Sequence, residues 1–228
     1  MKYKLLIFDA DDTLFDFKKS ERVAFGKTMQ AFGFDYEEKH HLPLYDKINR
    51  DIWKELEAGA ITQKELKIKR FRRLAAHLKS DMDVSAFAAC YTKCLSNASY
   101  LFEDAYDLVK ELHPLYHLVL ITNGLTDVQN KRIRQSVIAP FFKEITISEE
   151  IGVSKPDPAI FNHALRHFST VDPSHMLMIG DNLHSDILGG KKMGIDTCWY
   201  NPAYLKNETK IQPTYEIHHL RDLLKLVT

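Results

Sequence analysis

Three features are scarce or missing in this sequence, and each excludes a class of protein. The 228 residues include three cysteines, which form no even disulfide framework, so we expect reduced thiols and a cytoplasmic location. No apolar run approaches the ~20 residues that cross a bilayer, and no signal segment precedes the first expected strand, so no membrane partner is expected. Lysine plus arginine and aspartate plus glutamate number 31 each, a balance that argues against a nucleic acid polymer as partner.

The segment 5–14, LLIFDADDTL, is the most informative part of the chain. Its apolar run ends at Asp9, and Asp11 and Asp12 follow directly. A short apolar run bounded by polar residues predicts a fully buried strand, with Asp9 at its end. Carboxylates this close repel one another unless a positive group lies among them, and a hard divalent cation with oxygen ligands is the simplest solution. The alternative is an ordinary strand followed by an acidic turn.

Polar residues also follow two later apolar runs, as Asp9 follows the first one. Apolar runs at 117–121 and 176–180 end at polar side chains, and a lysine precedes an expected helix start at Pro158. These residues are Thr122, Asn123, Asp181, Asp186 and Lys155. In parallel α/β sheets, ligands bind beyond the carboxyl ends of the strands, so we expect these side chains to share one edge.

Beyond residue 100, strands alternate with amphipathic helices. We expect strands at 117–122, 144–148, 176–180, 195–200 and near 215–217, and helices at 103–113, 125–136, 158–168, 184–193 and 218–227. This alternation predicts an α/β fold with a Rossmann-like parallel sheet and right-handed crossovers. The pair Gly189-Gly190 inside a helical stretch indicates close packing against that sheet.

Between Leu14 and about Leu118 the hydrophobic pattern is helical. Apolar residues recur at helical spacing in four stretches, separated by turn formers near Gly33, at 58–62 and at 80–81. Thr62 and Glu65 fit a capping box at one helix start. The sequence therefore predicts a core domain of residues 1–16 and 99–228, with residues 17–98 inserted as a four-helix domain.

The four pieces around Asp9, Thr122, Lys155 and Asp181, in this order, resemble the motifs of the haloacid dehalogenase-like (HAD) superfamily. The resemblance covers roughly residues 1–16 and 100–228, and the ordered set is far more specific than any single motif. It implies an HAD-like core whose inserted helices form a cap that closes over the active site. One departure is visible, because the family usually has glycine at the position of Asp12.

The resemblance also implies roles in phosphoryl transfer. Asp9 would be a nucleophile that forms an aspartyl-phosphate, and Asp11 would act first as general acid and then as base. Mg²⁺ would be held by Asp9, the backbone carbonyl of Asp11 and Asp181, with Asp186 acting through water or as an outer anchor. Asp186 could alternatively be a first-turn acid favoured by the helix dipole.

The remaining motif residues would handle the phosphate. Thr122 and the backbone around Asn123 would hold phosphate oxygens, while Lys155 would offset charge on the nucleophile and the transferring group. The alternatives are an ordinary strand-end hydroxyl for Thr122 and a solvated lysine before a helix start for Lys155.

Asp11 also separates branches of the superfamily. Dehalogenases displace a halide, which needs no proton, and they usually lack an acid at this position, so its presence favours phosphate chemistry. A phosphonoacetaldehyde-type hydrolase would need a Schiff-base lysine from the cap, with Lys18, Lys19 and Lys54 as candidates by position. A phosphomutase of the β-phosphoglucomutase type keeps the same motifs, and a catalytically silent binding module could keep the fold.

The substrate expectation rests on the segments 11–17 and 52–62, which look like a subgroup of bacterial HAD enzymes that includes pyrimidine 5′-nucleotidases. This resemblance implies a (deoxy)pyrimidine nucleoside monophosphate as substrate, and Phe17, Trp53 or Tyr45 could stack on its base. Tyr45 lies on an apolar helix stripe, so its alternative is a core position. The alternatives are a sugar phosphate or a phosphoglycolate-like metabolite. The sequence leaves the oligomeric state open.

Overall fold

The computed structural model describes residues 2–227, apart from the side chain of Glu57. Within this range the chain forms two compact units, residues 2–17 with 100–227, and Lys18–Ser99. We call them the α/β unit and the helical unit. No helix in the described part of the chain is both long enough and apolar enough to span a bilayer.

The α/β unit is built on a parallel sheet, and all the strand pairs recorded between residues 2 and 227 run in the same direction. The strands are β1 (Leu5–Phe8), β2 (His117–Thr122), β3 (Glu144–Ile147), β4 (Met176–Gly180), β5 (Asp196–Tyr200) and β6 (Tyr215–Ile217). Their order across the sheet is β3-β2-β1-β4-β5-β6, which places β1 between β2 and β4. The predicted α/β class and parallel sheet are therefore confirmed.

The helices fall on both sides of this sheet or form the helical unit. The helical unit holds α1 (Phe17–Ala31), α2 (Glu38–Glu57), α3 (Gln63–Leu78) and α4 (Val84–Ser96). The first residue of α1, Phe17, still belongs to the α/β unit. The α/β unit holds α5 (Ala105–Leu112), α6 (Thr126–Arg132), α7 (Ser148–Ile151), α8 (Pro158–Ala164), α9 (Leu188–Lys192) and α10 (Asp222–Val227). The predicted capping box of α3 is present, since the Glu65 backbone N–H donates to Thr62 Oγ1 at 3.2 Å and the Thr62 N–H donates to Glu65 at 2.8 Å.

Alternation along β1 creates the two cores of the α/β unit. Leu6 and Phe8 join the cluster that includes α5 and α10, whereas Leu5 and Ile7 join the cluster that includes α8. Both sides of the strand are thus covered, as expected for a parallel sheet. Gly190 permits close approach of α9, because a Cβ there would lie 2.7 Å from Thr197 Cγ2.

Several helices are shorter than their periodicity predicts. The predicted helix at 125–136 ends at Arg132, and the one at 218–227 begins only at Asp222. The stretch predicted as helix 184–193 starts as a π-helical turn, Leu183–Ile187, and continues as α9. Apolar spacing continues through adjoining turns and single π-helical turns, so it marks a packed face more reliably than it marks the helix ends.

The helical unit has an aromatic centre. Tyr45 stacks on Phe25 with ring centroids 4.4 Å apart, and its other neighbours include Phe71 at 5.9 Å and Tyr91 at 5.5 Å. All four rings are fully buried. Aromatic side chains of this size contribute much of the burial that stabilises a small helical unit.

Candidate active site

Asp9 lies at the carboxyl end of the central strand. Its backbone N–H donates to the Ile179 carbonyl at 2.9 Å, so the residue is still tied to β4, and its side chain is buried. Thr13 Oγ1 donates to Oδ2 at 3.2 Å, and Lys155 Nζ donates to Oδ1 at 2.5 Å. Both oxygens of this carboxylate are therefore fixed in direction.

Lys155 is a buried cation between two carboxylates. Its Nζ lies 2.5 Å from Asp9, 2.8 Å from Asp186 and 2.7 Å from the Ile121 carbonyl oxygen. Burial lowers the pKa of this lysine, but the Asp186 and Asp9 carboxylates more than offset that effect and raise it above its ordinary value. Lys155 thus stays charged at neutral pH, and it is not the solvated lysine of the alternative interpretation.

The loop that carries Lys155 is held by Asn123. The Asn123 side chain accepts from the Lys155 backbone N–H at 2.8 Å and donates to the Lys155 carbonyl at 3.0 Å. This pair of bonds connects the end of β2 to the loop before α8. The side chain of Asn123 therefore positions Lys155, which leaves the surrounding backbone for the predicted contact with phosphate.

Three carboxylates converge beside this lysine. One oxygen each of Asp9, Asp181 and Asp186 lies within 4.8 Å of the other two. Burial raises the pKa of Asp9 to about 7 against the opposing effect of Lys155, and burial together with the Asp9 and Asp186 charges raises that of Asp181 to about 9. Asp9 and Asp186 are buried and Asp181 is half-buried, and such crowded oxygen donors fit Mg²⁺, which prefers carboxylate ligands and would relieve their repulsion.

Asp186 is completely buried, and glycine at position 180 makes room for it. Its Oδ2 accepts from the Asn182 backbone N–H at 3.0 Å, and its Oδ1 lies 2.8 Å from Lys155. A Cβ built on Gly180 would collide with the Asp186 carboxyl group. The strand-end glycine is therefore a steric requirement of the carboxylate cluster.

Asp11 points toward two residues that the sequence reasoning missed. The buried guanidinium of Arg132 donates to its Oδ1, and Gln129 Nε2 donates to its Oδ2 at 2.8 Å. Gln129 also donates to Thr122 Oγ1 at 3.2 Å. The spacing of three residues on α6 places Gln129 and Arg132 on one helix face, but an arginine in an amphipathic helix carries no signal of its own.

The backbone conformation at Asp12 explains why the family usually has glycine at this position. Its φ is 60°, in the left-handed region that glycine enters freely and that aspartate tolerates better than most residues. Its backbone N–H donates to the Phe15 carbonyl at 2.8 Å, which closes the turn. The departure from the family pattern therefore preserves the loop conformation.

The other predicted residues lie in different places. Thr122 is buried at the end of β2. The ring centroid of Phe17 lies 5.0 Å from the Arg132 guanidinium carbon, so Phe17 is close to Asp11 in the α/β unit. Trp53 is a partly exposed residue of α2 in the helical unit. Phe17 and Trp53 thus belong to different units, and their contact with a base stays a prediction.

The fold and this site define an α/β protein with a Rossmann-like parallel sheet, whose carboxylates and buried lysine meet at the carboxyl edge of that sheet. A family model for haloacid dehalogenase-like hydrolases matches residues 3–194, so the chain belongs to that family. The family resemblance inferred from the motifs is thereby confirmed.

The similar proteins include two named nucleotidases. Pyrimidine 5′-nucleotidase PynA of Streptococcus pneumoniae is 38% identical over 98% of this chain and 94% of its own length. Pyrimidine 5′-nucleotidase YjjG of Escherichia coli is 30% identical over 100% of this chain and 99% of its own. The crystal structure of the HAD-hydrolase YfnB from Bacillus subtilis, described as bound to magnesium and revealing interdomain movement, has a TM-score of 0.92, is 34% identical, and covers 100% of both chains.

Proposed function

We propose that this protein is an Mg²⁺-dependent phosphomonoesterase that acts through an aspartyl-phosphate on Asp9. The observation that carries the proposal is the position of Lys155 between Asp9 and Asp186, at the edge where Asp181 also lies. A carboxylate with a fixed cation beside it is suited to attack an anionic phosphate, because the cation reduces the repulsion between them.

The chemical steps follow from the assigned residues. An oxygen of the Asp9 carboxylate attacks phosphorus, and the bond between phosphorus and the ester oxygen breaks. Asp11 gives its proton to the departing oxygen, so the alcohol leaves neutral, and the carboxylate so formed then takes a proton from the water that hydrolyses the acyl-phosphate. Inorganic phosphate and free Asp9 are regenerated.

The remaining residues position the phosphate group and neutralise its charge. Thr122 and the backbone at Asn123 bind phosphate oxygens, and Lys155 balances their charge. Asp9, the backbone carbonyl of Asp11 and Asp181 would hold Mg²⁺, and Asp186, which pairs with Lys155, would act through water or as an outer anchor. When bound, the metal supplies positive charge that neutralises the carboxylates and the phosphoryl oxygens.

As substrate we propose a (deoxy)pyrimidine nucleoside monophosphate. The support is the agreement of two relatives, similar over nearly the whole chain, that are named pyrimidine 5′-nucleotidases. We assign the helical unit as the cap that selects this substrate, and the interdomain movement reported for the YfnB structure supports a mobile second domain. The free thiols of Cys90, Cys94 and Cys198 support a cytoplasmic location.

The test is phosphate release with Mg²⁺ across pyrimidine and purine monophosphates, sugar phosphates, phosphoglycolate and p-nitrophenyl phosphate, with Asp9→Asn as the blank. We expect the highest kcat/KM for pyrimidine monophosphates. A preference for sugar phosphates or phosphoglycolate would overturn the substrate assignment, while the proposed aspartyl-phosphate mechanism would stand. No release from any ester would overturn the phosphatase itself and favour a mutase or a binding module.

A further inference from the structure

Gln129 lies between the proposed acid residue and the threonine that binds phosphate, and the chemical steps above do not use it. It is a residue of α6 and is 2% exposed. Its Nε2 donates to Asp11 Oδ2 at 2.8 Å and to Thr122 Oγ1 at 3.2 Å, and its Oε1 accepts from Arg132 Nη1 at 2.8 Å. Both ends of this side-chain amide are therefore bonded, and all the partners lie in the α/β unit.

Arg132 determines which way round the amide of Gln129 lies. A guanidinium carries donors and no acceptor, so the Gln129 atom that faces Arg132 has to be the carbonyl oxygen. The amide nitrogen then faces Asp11 and Thr122. The reverse orientation would place donor against donor at Arg132 and acceptor against acceptor at Asp11, which is unfavourable in a buried site. The two hydrogens of Nε2 are thus directed at the Asp11 carboxylate and the Thr122 hydroxyl.

Gly124 makes room for this amide. A Cβ built on Gly124 would lie 2.7 Å from Gln129 Nε2 and 2.8 Å from its Cγ. The Gly124 backbone is itself held, because its N–H donates to Ser148 Oγ at 3.1 Å. The segment after β2 is therefore shaped around the Gln129 side chain, and glycine is the residue that permits the close approach.

The bond from Gln129 also orients the hydroxyl hydrogen of Thr122. A threonine hydroxyl accepts through its lone pairs and donates its single hydrogen. Because Thr122 Oγ1 accepts from Gln129, its hydrogen points away from the amide. It is then directed to another acceptor, and a phosphate oxygen bound at this edge of the sheet is one.

We propose that Gln129 is a positioning residue for two groups at once. It orients the Thr122 hydroxyl as a donor to phosphate, and it holds the Asp11 carboxyl group for proton transfer to the ester oxygen. Each carboxylate oxygen has two acceptor sites, so the bonds from Gln129 and Arg132 leave one site on each oxygen for the transferred proton. This inference rests on the proposed phosphatase function and adds a residue that couples phosphate binding to leaving-group protonation.

The first test replaces the donor and keeps the shape. Gln129→Glu retains an acceptor for Arg132, but its carboxylate would accept the Thr122 hydroxyl hydrogen and withdraw it from phosphate. We expect the Ki of inorganic phosphate to rise about tenfold, and kcat for an alkyl monophosphate to fall about tenfold more than kcat for p-nitrophenyl phosphate. Gln129→Met removes the donor without adding a charge and should shift the ratio between the esters in the same direction.

The matched control is Gln135→Glu, which introduces the same charge at an exposed residue just beyond α6 and should change neither quantity. If Gln129→Glu and Gln129→Met leave the ratio between the two esters at the wild-type value, the inference is wrong, because Gln129 then has no effect on the acid step.

The second test is a double-mutant cycle with Thr122→Val. In the wild-type background this substitution should raise the Ki of phosphate about tenfold and leave the ratio between the esters unchanged. In the Gln129→Glu background it should raise Ki less than about twofold, because the hydroxyl there no longer donates to phosphate. If the two losses simply multiply, the inference is overturned while the phosphatase assignment stands. Failure of the wild-type enzyme to release phosphate from any ester would instead overturn the proposed function, and this inference with it.

Discussion

The guanidinium of Arg132 donates to the carboxylate of Asp11, although the two residues are 121 positions apart in the chain. The Arg132 side chain is fully buried, while that of Asp11 is 21% exposed. Gln129 completes the arrangement, since it accepts from Arg132 Nη1 at 2.8 Å and donates to Asp11 at 2.8 Å. The residue assigned as acid and base is therefore held in one direction by a buried cation and an amide.

Loss of this cation should lower kcat most for esters with poor leaving groups. Arg132→Met leaves Asp11 without its anchor, so kcat for an alkyl monophosphate should fall on the order of 10- to 100-fold more than kcat for p-nitrophenyl phosphate, whose leaving group needs little protonation. Arg132→Lys should recover part of the difference. Steady-state kinetics on the two esters measure it, with Arg134→Met as control because Arg134 pairs with Glu150 instead. Equal losses on both esters would assign Arg132 to folding alone.

Replacement of the nucleophile should abolish turnover and preserve the fold. Asp9→Asn keeps the size of the side chain, and Lys155 retains its contact with Asp186 at 2.8 Å. We expect activity below about 1% of wild type and an unchanged circular dichroism spectrum. Rapid acid quench followed by mass spectrometry should detect a phosphorylated Asp9 peptide in the wild type and none in the variant. Substantial residual turnover in a homogeneous preparation would remove Asp9 from the nucleophile role.

The carboxylate cluster predicts opposite effects of one substitution with and without metal. Because Asp9, Asp181 and Asp186 repel one another, metal-free Asp181→Asn should melt at or above the temperature of metal-free wild type. Mg²⁺ should raise the Tm of the wild type, by an amount that corresponds to about 2.7 kcal/mol at a hundredfold excess over Kd, and should raise that of the variant much less. Thermal melts in EDTA and in MgCl₂ measure both effects. An equal Mg²⁺ response in the two proteins would place the ion elsewhere.

Glu21 predicts a pH dependence of stability in the helical unit. Burial raises its pKa from 4.5 to about 7, opposed by Arg70 and by bonds from Tyr91 and Tyr45, and supported by the charge of Asp46. The folded state therefore keeps a proton that the unfolded chain releases, so the stability contributed by Glu21 falls as the pH rises from about 4.5 through 7. Partial exposure of the side chain limits the effect to roughly 2 kcal/mol. Glu21→Gln should flatten this part of the pH profile, measured by chemical denaturation between pH 4.5 and 8, and an unchanged slope would assign the dependence to other groups.

The strand ends were the predictable part of the site. Once β1, β2 and β4 are recognised as parallel neighbours, the positions of Asp9, Thr122 and Asp181 follow, because their carboxyl ends meet at one edge. Motif resemblance added Lys155, which no periodicity would have singled out. The sheet could therefore be anticipated closely, and the helix ends only roughly.

Arg132 and Arg70 could not be predicted, and for the same physical reason. Each lies in a helix with other basic residues, and α3 alone reads QKELKIKRFRRLAAHL. In the sequence, a buried arginine and a solvated arginine of such a helix cannot be told apart, because residue type and helical spacing are the same for both. Only the packing of distant rings and acceptors around the guanidinium distinguishes them, and that information is tertiary.

The bond between Trp199 and the backbone of Asp181 gives the protein a built-in optical probe. The indole N–H donates to the Asp181 carbonyl at 2.8 Å, and the ring is 4% exposed. The sequence has two tryptophans, so a Trp53→Phe variant would emit from Trp199 alone. Its fluorescence would then follow occupancy of the neighbouring carboxylates in real time, without a label and without turnover.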